Sequence, residues 1–261
     1  HKTQPRNPAK SCLTLLAGAV LLAGTQLAQA ESFAWDGPYV GIAMGAQHTK
    51  YDWKTTDHVF PDGSPIPSGL LGSTHENLDS NDYLTYVFAG YNWTVAPQVI
   101  AGIEAHARYA HARDTQDVPG VSLGGPTPTG QTNVEAKTNW SGDLRGRAGY
   151  LFQPDFLLYA SAGVAYTQLD TTVTCPADTN VCNPAFGTID NSDSQNTTGW
   201  LAGIGLEAAL TDNLTARVEY LYTDYGTVQV DGLTANSNSF GFNGDVDLTT
   251  QSLTAGLAYK F

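Results

Sequence analysis

The chain has 261 residues, of which only 14% are charged, with 27 Gly, 13 Pro and 13 Tyr. Acids outnumber bases 25 to 12, a formal net charge of −13, which excludes nucleic acid as a partner because that requires basic patches. The length suits one domain, and past the first 30 residues no run is apolar enough for a membrane-spanning helix, so any span must be made of strands.

The opening HKTQPRNPAK holds Lys2, Arg6 and Lys10 and no acid, and is followed by the apolar run Leu13–Gly24 and by Ala28-Gln29-Ala30. A basic start, a short apolar run and an A-x-A site form a secretory signal peptide, with cleavage predicted after Ala30. The apolar run is about twelve residues, against the roughly twenty that cross a bilayer as a helix. The predicted mature chain, residues 31–261, keeps nine bases against 25 acids, a net of −16.

In the mature part, apolar and polar residues alternate with period two, the mark of strands with two unlike faces. The first predicted strand is Tyr39–Tyr51, entered from Trp35-Asp36-Gly37-Pro38, and a stretch rich in Asp, Pro, Gly and Ser follows over Asp52–Asp82. Strand two is Tyr83–Asn92, with Tyr83, Thr85, Val87, Ala89 and Tyr91 on one face; a short link, Trp93–Gln98, leads to strand three, Val99–Ala110. A long loop, His111–Thr138, precedes strand four, Asn139–Leu151, and the tight turn Gln153-Pro154-Asp155 leads to strand five, Phe156–Leu169. The third long loop is Asp170–Asn196. Strand six, Thr198–Leu210, turns at Thr211-Asp212-Asn213 into strand seven, Leu214–Tyr225, and a fourth long loop, Gly226–Asp247, leads to the last strand. There Leu253, Ala255, Leu257, Tyr259 and the terminal Phe261 share one face.

Eight strands joined alternately by four long loops and three short turns predict an all-β fold, an up-and-down antiparallel transmembrane barrel with both termini and the short turns in the periplasm. A soluble lipocalin-like barrel, apolar inside and polar outside, is the competing arrangement. The charges separate the two. Glu104, His106 and Arg108 share one parity of strand three, Asp143, Arg145 and Arg147 one parity of strand four, Glu207 sits with glycines in strand six, and Arg217 with Glu219 in strand seven. The opposite faces are apolar, with aromatic residues near the strand ends. An Arg or Lys at bilayer depth on a lipid face costs about 2–4 kcal/mol, so the charges face the lumen.

That lumen set balances: Glu104, Asp143, Glu207 and Glu219 against Arg108, Arg145, Arg147 and Arg217. An eight-stranded bore is just wide enough to be filled by side chains, and charges held there must be paired. The balance predicts an internal ion network that plugs the barrel, with an ion-selective channel as the alternative that conductance would reveal.

Cys175 and Cys182, in CPADTNVC, fit a loop disulfide of an exported protein; half of a metal site lacks further Cys or nearby His, where four ligands are usual. His48, His58, His75, His106 and His111 have no serine at a spacing that builds a nucleophile–base pair, so no catalytic constellation and no cofactor site is predicted. The acids Asp52, Asp57, Asp62, Glu76, Asp79, Asp82, Asp231, Asp245 and Asp247 fall in the first and fourth loops. They form a solvated, repelling surface or bridge lipopolysaccharide phosphates through divalent cations, for which carboxylates are the preferred ligands; no D-x-D-x-D-G calcium spacing is present.

Trp35-Asp36-Gly37-Pro38-Tyr39-Val40-Gly41, Ala89-Gly90-Tyr91-Asn92-Trp93, Leu144-Arg145-Gly146-Arg147-Ala148-Gly149-Tyr150, Glu219-Tyr220-Leu221-Tyr222-Thr223-Asp224-Tyr225-Gly226 and Ala255-Gly256-Leu257-Ala258-Tyr259-Lys260-Phe261 resemble, in order, the motifs of the small alphaproteobacterial outer-membrane barrels. This is the Brucella and rhizobial type, related to opacity-protein and OmpA-like eight-stranded barrels and often labelled porins. The resemblance implies a surface-exposed barrel in outer-membrane lipid and lipopolysaccharide. It also implies insertion by the barrel assembly machinery, which reads the terminal strand at Leu257, Tyr259 and Phe261. It carries over no ligand for the loops. A structural barrel, a loop-mediated adhesin or receptor, and a narrow channel are the functions left open, with a lipid-A-modifying enzyme behind them.

Overall fold

The computed structural model describes residues 33–59, 62–65, 75–109, 113–118, 132–175, 189–233 and 241–261. The predicted signal segment with its cleavage site at Ala30, and Cys182, lie outside them. The described residues form nine strands: β1 (Gly37–Val59), β2 (His75–Ala96), β3 (Val99–Tyr109), β4 (Arg113–Val118), β5 (Thr132–Gln153), β6 (Phe156–Cys175), β7 (Ile189–Ala209), β8 (Leu214–Leu233) and β9 (Gly241–Lys260). β3 and β4 both pair with β5, Tyr109 opposite Trp140 and Arg113 opposite Lys137, so together they form one stave of eight. All neighbours are antiparallel, and the ring closes through β1–β9 and β3–β5. β9 pairs with β1 from Tyr39 opposite Lys260 to Tyr51 opposite Leu248, the closure that the terminal alternation predicts, and it leaves neither strand an open edge along that length.

The outward faces carry Val40, Ile42, Met44, Ile103, Leu144, Val164, Ile204, Leu253 and Leu257, all exposed. Tyr91, Trp93, Tyr150, Phe152, Tyr259 and Phe261 gird the end with the short turns, and Tyr83, Trp140, Tyr166 and Trp200 the other. From Tyr83 to Trp93 β2 rises about 33 Å; at a tilt of about 40° this spans a band of about 25 Å, the apolar height of an outer-membrane barrel.

The strands run well past that band. The described parts of the four stretches predicted as long loops are paired strand apart from residues 62–65, and at the other end two turns are of two residues, Pro97-Gln98, with Gln98 at φ 69°, and Pro154-Asp155. Above the outer girdle both faces meet water, so period-two alternation disappears from the sequence while backbone pairing continues. The acids assigned to loops move with this correction. Asp52 and Asp57 lie on β1, Glu76, Asp79 and Asp82 on β2, Asp231 on β8, and Asp245 and Asp247 on β9; Asp62 alone of those named lies between strands.

The wall also divides. β2–β3 pairing ends at Tyr86 opposite Arg108, and β7–β8 pairing at Trp200 opposite Asp224. Beyond these points β1–β2, β4–β5, β6–β7 and β8–β9 remain paired. Two four-stranded leaves, β2-β1-β9-β8 and β4-β5-β6-β7, thus rise from one barrel. On β8 the divergence coincides with a register shift between Asp224 and Thr227, where Gly226 takes φ +67°, a conformation only glycine adopts without strain.

Candidate functional site

Alternate residues of each stave point inward, so β3 delivers Glu104, His106 and Arg108 to the lumen, β5 Asp143, Arg145 and Arg147, β7 Glu207, and β8 Arg217 and Glu219. All nine are buried. They form two chains of alternating sign. In the first, Glu207 Oε2 accepts from Arg147 Nη2 at 2.6 Å, and Glu104 Oε1 accepts from Arg147 Nη1, Arg217 Nη1 and the Tyr39 hydroxyl, each at 2.7 Å. In the second, Asp143 receives Arg108 Nη2 at 2.6 Å and Arg145 Nε at 2.7 Å, and Arg145 Nη1 reaches Glu219 Oε1 at 2.6 Å.

His106 spans the two chains. Its Nδ1 lies 2.8 Å from Asp143 Oδ1 and its Nε2 3.3 Å from Glu104 Oε2, close contacts without hydrogen-bond alignment. Hydroxyls take remaining lone pairs, Thr215 on Glu207 and Ser161 on Glu219. Each ion therefore has the close partners that offset the loss of its hydration. Every charge that the sequence assigned to the lumen belongs to one of these chains.

Sequence reasoning missed the aromatic part of this core. Arg217 lies over the Phe88 ring at 3.5 Å, Arg147 over Tyr159 at 4.0 Å and Arg108 over Tyr86 at 5.4 Å, cation–π contacts that desolvation strengthens. Tyr39 and Tyr159 sit directly opposite Gly90 and Gly205 on the neighbouring strands, and each ring lies across its glycine. A Cβ at Gly205 would meet the Tyr159 ring at 2.4 Å, and one at Gly90 the Tyr39 hydroxyl at 2.5 Å. The signal was present as glycines on the lumen parity of β2 and β7, readable only once the register is known.

At the periplasmic end Phe33 and Trp35, preceding β1, pack edge to face with centroids 4.8 Å apart against Ile100 and Leu157. Trp35 Nε1 donates to the Pro154 carbonyl of the β5–β6 turn at 2.9 Å. Next to it, Asp36 accepts the Thr94 N–H at 2.6 Å and the Thr94 hydroxyl, and these bonds hold its carboxyl below the usual range. The sequence marked this segment only as the approach to the first strand.

Leu257, Tyr259 and Phe261 face outward, Tyr259 and Phe261 with rings 5.3 Å apart. Cys175 is the last residue of β6. His48 sits at the outer rim beside Asn81 and Asp79. Among the described residues no group of three or more His, Cys, Asp or Glu is arranged to hold a metal ion; around His106 the carboxylates are already engaged by arginines.

A model of the outer membrane protein beta-barrel domain matches residues 15–261. The chain belongs to this outer-membrane barrel family. Among its relatives is the 25 kDa outer-membrane immunogenic protein of Brucella abortus biovar 1 (strain 9-941), 29% identical over 234 residues that cover 89% of this chain and 82% of that one. The 22 kDa outer membrane protein of Rhizobium leguminosarum bv. viciae is 35% identical over 176 residues, 67% of this chain and 64% of that protein. The crystal structure of the outer membrane protein OprG from Pseudomonas aeruginosa superposes with a TM-score of 0.53 over 89% of this chain and 99% of its own, at 18% identity, which speaks to the fold alone. The alphaproteobacterial resemblance and the outer-membrane location both hold. These relatives carry the names of outer-membrane proteins.

Proposed function

We propose that the protein is a structural barrel of the outer membrane. Its lumen is plugged by the ion network, and it contributes to envelope integrity while raising acidic strand extensions at the cell surface. One observation carries the plug. Arg217 on β8 and Glu104 on β3 stand on diametrically opposite staves, four apart around the ring, and meet at 2.7 Å. Side chains that touch across the full diameter of so narrow a bore leave no axial path for hydrated ions. The Phe33–Trp35 pair supports the same reading at the periplasmic mouth. Surface display is supported by the acids on the extensions and by relatives named as immunogenic outer-membrane proteins. The apolar outer face provides the contact with lipid and lipopolysaccharide, and the aromatic terminal strand is the element offered to the assembly machinery.

The two leaves favour a second reading, in which the extensions bind a surface ligand, because anchoring alone needs no wall above the girdle. Deletion of the gene, scored by uptake of a hydrophobic dye and by bile-salt sensitivity, tests between them. Under the structural reading a variant with its extensions cut back to the outer girdle restores the barrier. Restoration by the full-length protein alone would overturn it in favour of the extensions.

A further inference from the structure

Above the ion network the lumen changes character. Ser141, Thr167 and Thr223 with Thr49, Thr250 and Ser252, interspersed with the buried Leu84, Leu221 and Leu248, line a cavity of about 70 Å³ that Arg108 also lines. Among its described lining residues only Arg108 and Asp82 are charged. The hydroxyls come from five different staves. Arg108 spends Nη2 on Asp143; no hydrogen bond to another described residue engages its remaining N–H groups, and its side chain is 10% exposed. Thr167, 4% exposed, has a buried hydroxyl oxygen with no hydrogen-bond partner. A buried polar atom left unpaired is costly and is normally satisfied by something bound beside it.

We propose that this cup is a binding site for a small neutral polyhydroxylated solute, a single sugar ring or a cyclic polyol. The chemistry selects that class. Hydroxyls from five of the eight staves offer both donors and acceptors, and Leu84, Leu221 and Leu248 supply apolar wall between them, which matches a ligand with hydroxyl edges and C–H faces. A guanidinium and hydroxyls alone would also suit a small oxyanion. Here the guanidinium is already neutralised by Asp143 at 2.6 Å, Asp82 stands at the rim, and the chain carries a net charge of −13, so an anion would enter against the field. Tyr51 and Tyr225 line the same cup and provide the ring surfaces over which C–H faces of a sugar pack. At about 10–15 Å³ of this accessible space per water the cavity holds roughly five waters, whose share of the liquid, about 30 Å³ each, is the volume of one ring and too small for two. The site lies on the outer side of the network and depends on its geometry, whether or not the bore conducts.

The test is saturation-transfer NMR on the folded protein in a detergent without sugar headgroups, with D-glucose, D-galactose, myo-inositol and inorganic sulfate as probes. At least one of the three polyols is expected to show transfer, and Thr167→Val to weaken its binding about fivefold, the contribution of one neutral hydrogen bond, with heat-modifiable gel mobility unchanged. Thr223→Val, two staves away on β8, serves the same purpose should the first variant fold poorly. Absence of transfer from all three polyols at roughly 50 mM, well above the millimolar Kd of weak binding, would overturn the proposal in favour of a cup that holds water. Transfer from sulfate without the polyols would overturn it in favour of an anion site. Polyol binding untouched by both variants would place the site elsewhere on the protein and equally end the assignment.

Discussion

Replacing Glu104 with Gln changes no volume and removes the charge on which three donors converge. Glu104 Oε1 accepts from Tyr39, Arg147 and Arg217 at 2.7 Å each, and the side chain is fully buried. Arg147 keeps Glu207 as a partner. Arg217 keeps no carboxylate among the described residues: its other contacts are the Phe88 ring and His106. Breaking a buried pair so that one ion is left uncompensated costs about 3–5 kcal/mol. The amide oxygen still accepts hydrogen bonds, which places Glu104→Gln at the lower end, about 3 kcal/mol, a more than hundredfold loss in the folding equilibrium. Adding Arg217→Met removes the stranded cation. The double variant is therefore expected to be less destabilised than the sum of its singles, by at least about 1 kcal/mol of coupling. Urea unfolding in lipid vesicles, followed by tryptophan fluorescence and by heat-modifiable gel mobility, measures both quantities. A Glu104→Gln midpoint within about 0.5 kcal/mol of the parent, or strict additivity in the double variant, would refute a network in which Glu104 is the hub.

Three further outcomes follow from other parts of the structure. Removing Phe261, which ends the terminal outward face and donates its N–H to the Pro38 carbonyl at 3.1 Å, is expected to lower surface levels more than removing any single loop; normal levels by surface labelling would contradict this. Gly205→Val pushes a side chain into the Tyr159 ring and through it disturbs Arg147, at a cost of about 1–3 kcal/mol by overpacking; an unchanged unfolding midpoint would show that the ring does not lie on the glycine. Asp36 has a folded pKa below its ordinary 3.8, so its bond to Thr94 contributes stability above that value and loses it as pH falls through the lower folded value. Amide-exchange protection at Thr94 should hold from neutrality to about pH 4 and decline only in stronger acid, and loss already at pH 6 would assign the protection to another group.

The membrane-embedded barrel was legible because lipid on one side and a charged lumen on the other force opposite chemistry onto alternate residues. Leu144 and Arg145, or Val218 and Glu219, declare their faces without any register. Where that contrast fails, so does the reading. Asp190 to Thr198 is polar at every position, since β7 has left the bilayer there, and only the pairing with β6 reveals a strand. The lumen aromatics were hidden for the converse reason: Tyr39, Tyr86, Phe88 and Tyr159 are apolar residues on the polar face, and alternation alone does not place them. Their role depends on which glycine or arginine lies across the strand pair, which is a property of register. Phe33 and Trp35 lie ahead of any periodic segment, and their packing depends on where the β5–β6 turn ends. The ion network sits between these extremes: its members were identifiable from parity and charge balance, while the division into two chains joined by His106 required coordinates.

Whether the bore is closed is tested directly by single-channel recording in planar bilayers. Folded protein, purified from membranes and verified by its heat-modifiable mobility, is expected to give no conductance steps across the ordinary voltage range. A population of variants with Glu104→Gln and Arg217→Met should then begin to show them as the contact across the diameter is lost. Reproducible steps from the unaltered protein, with an ion selectivity that changes when Arg147 is replaced, would contradict the plug and make the lumen a channel.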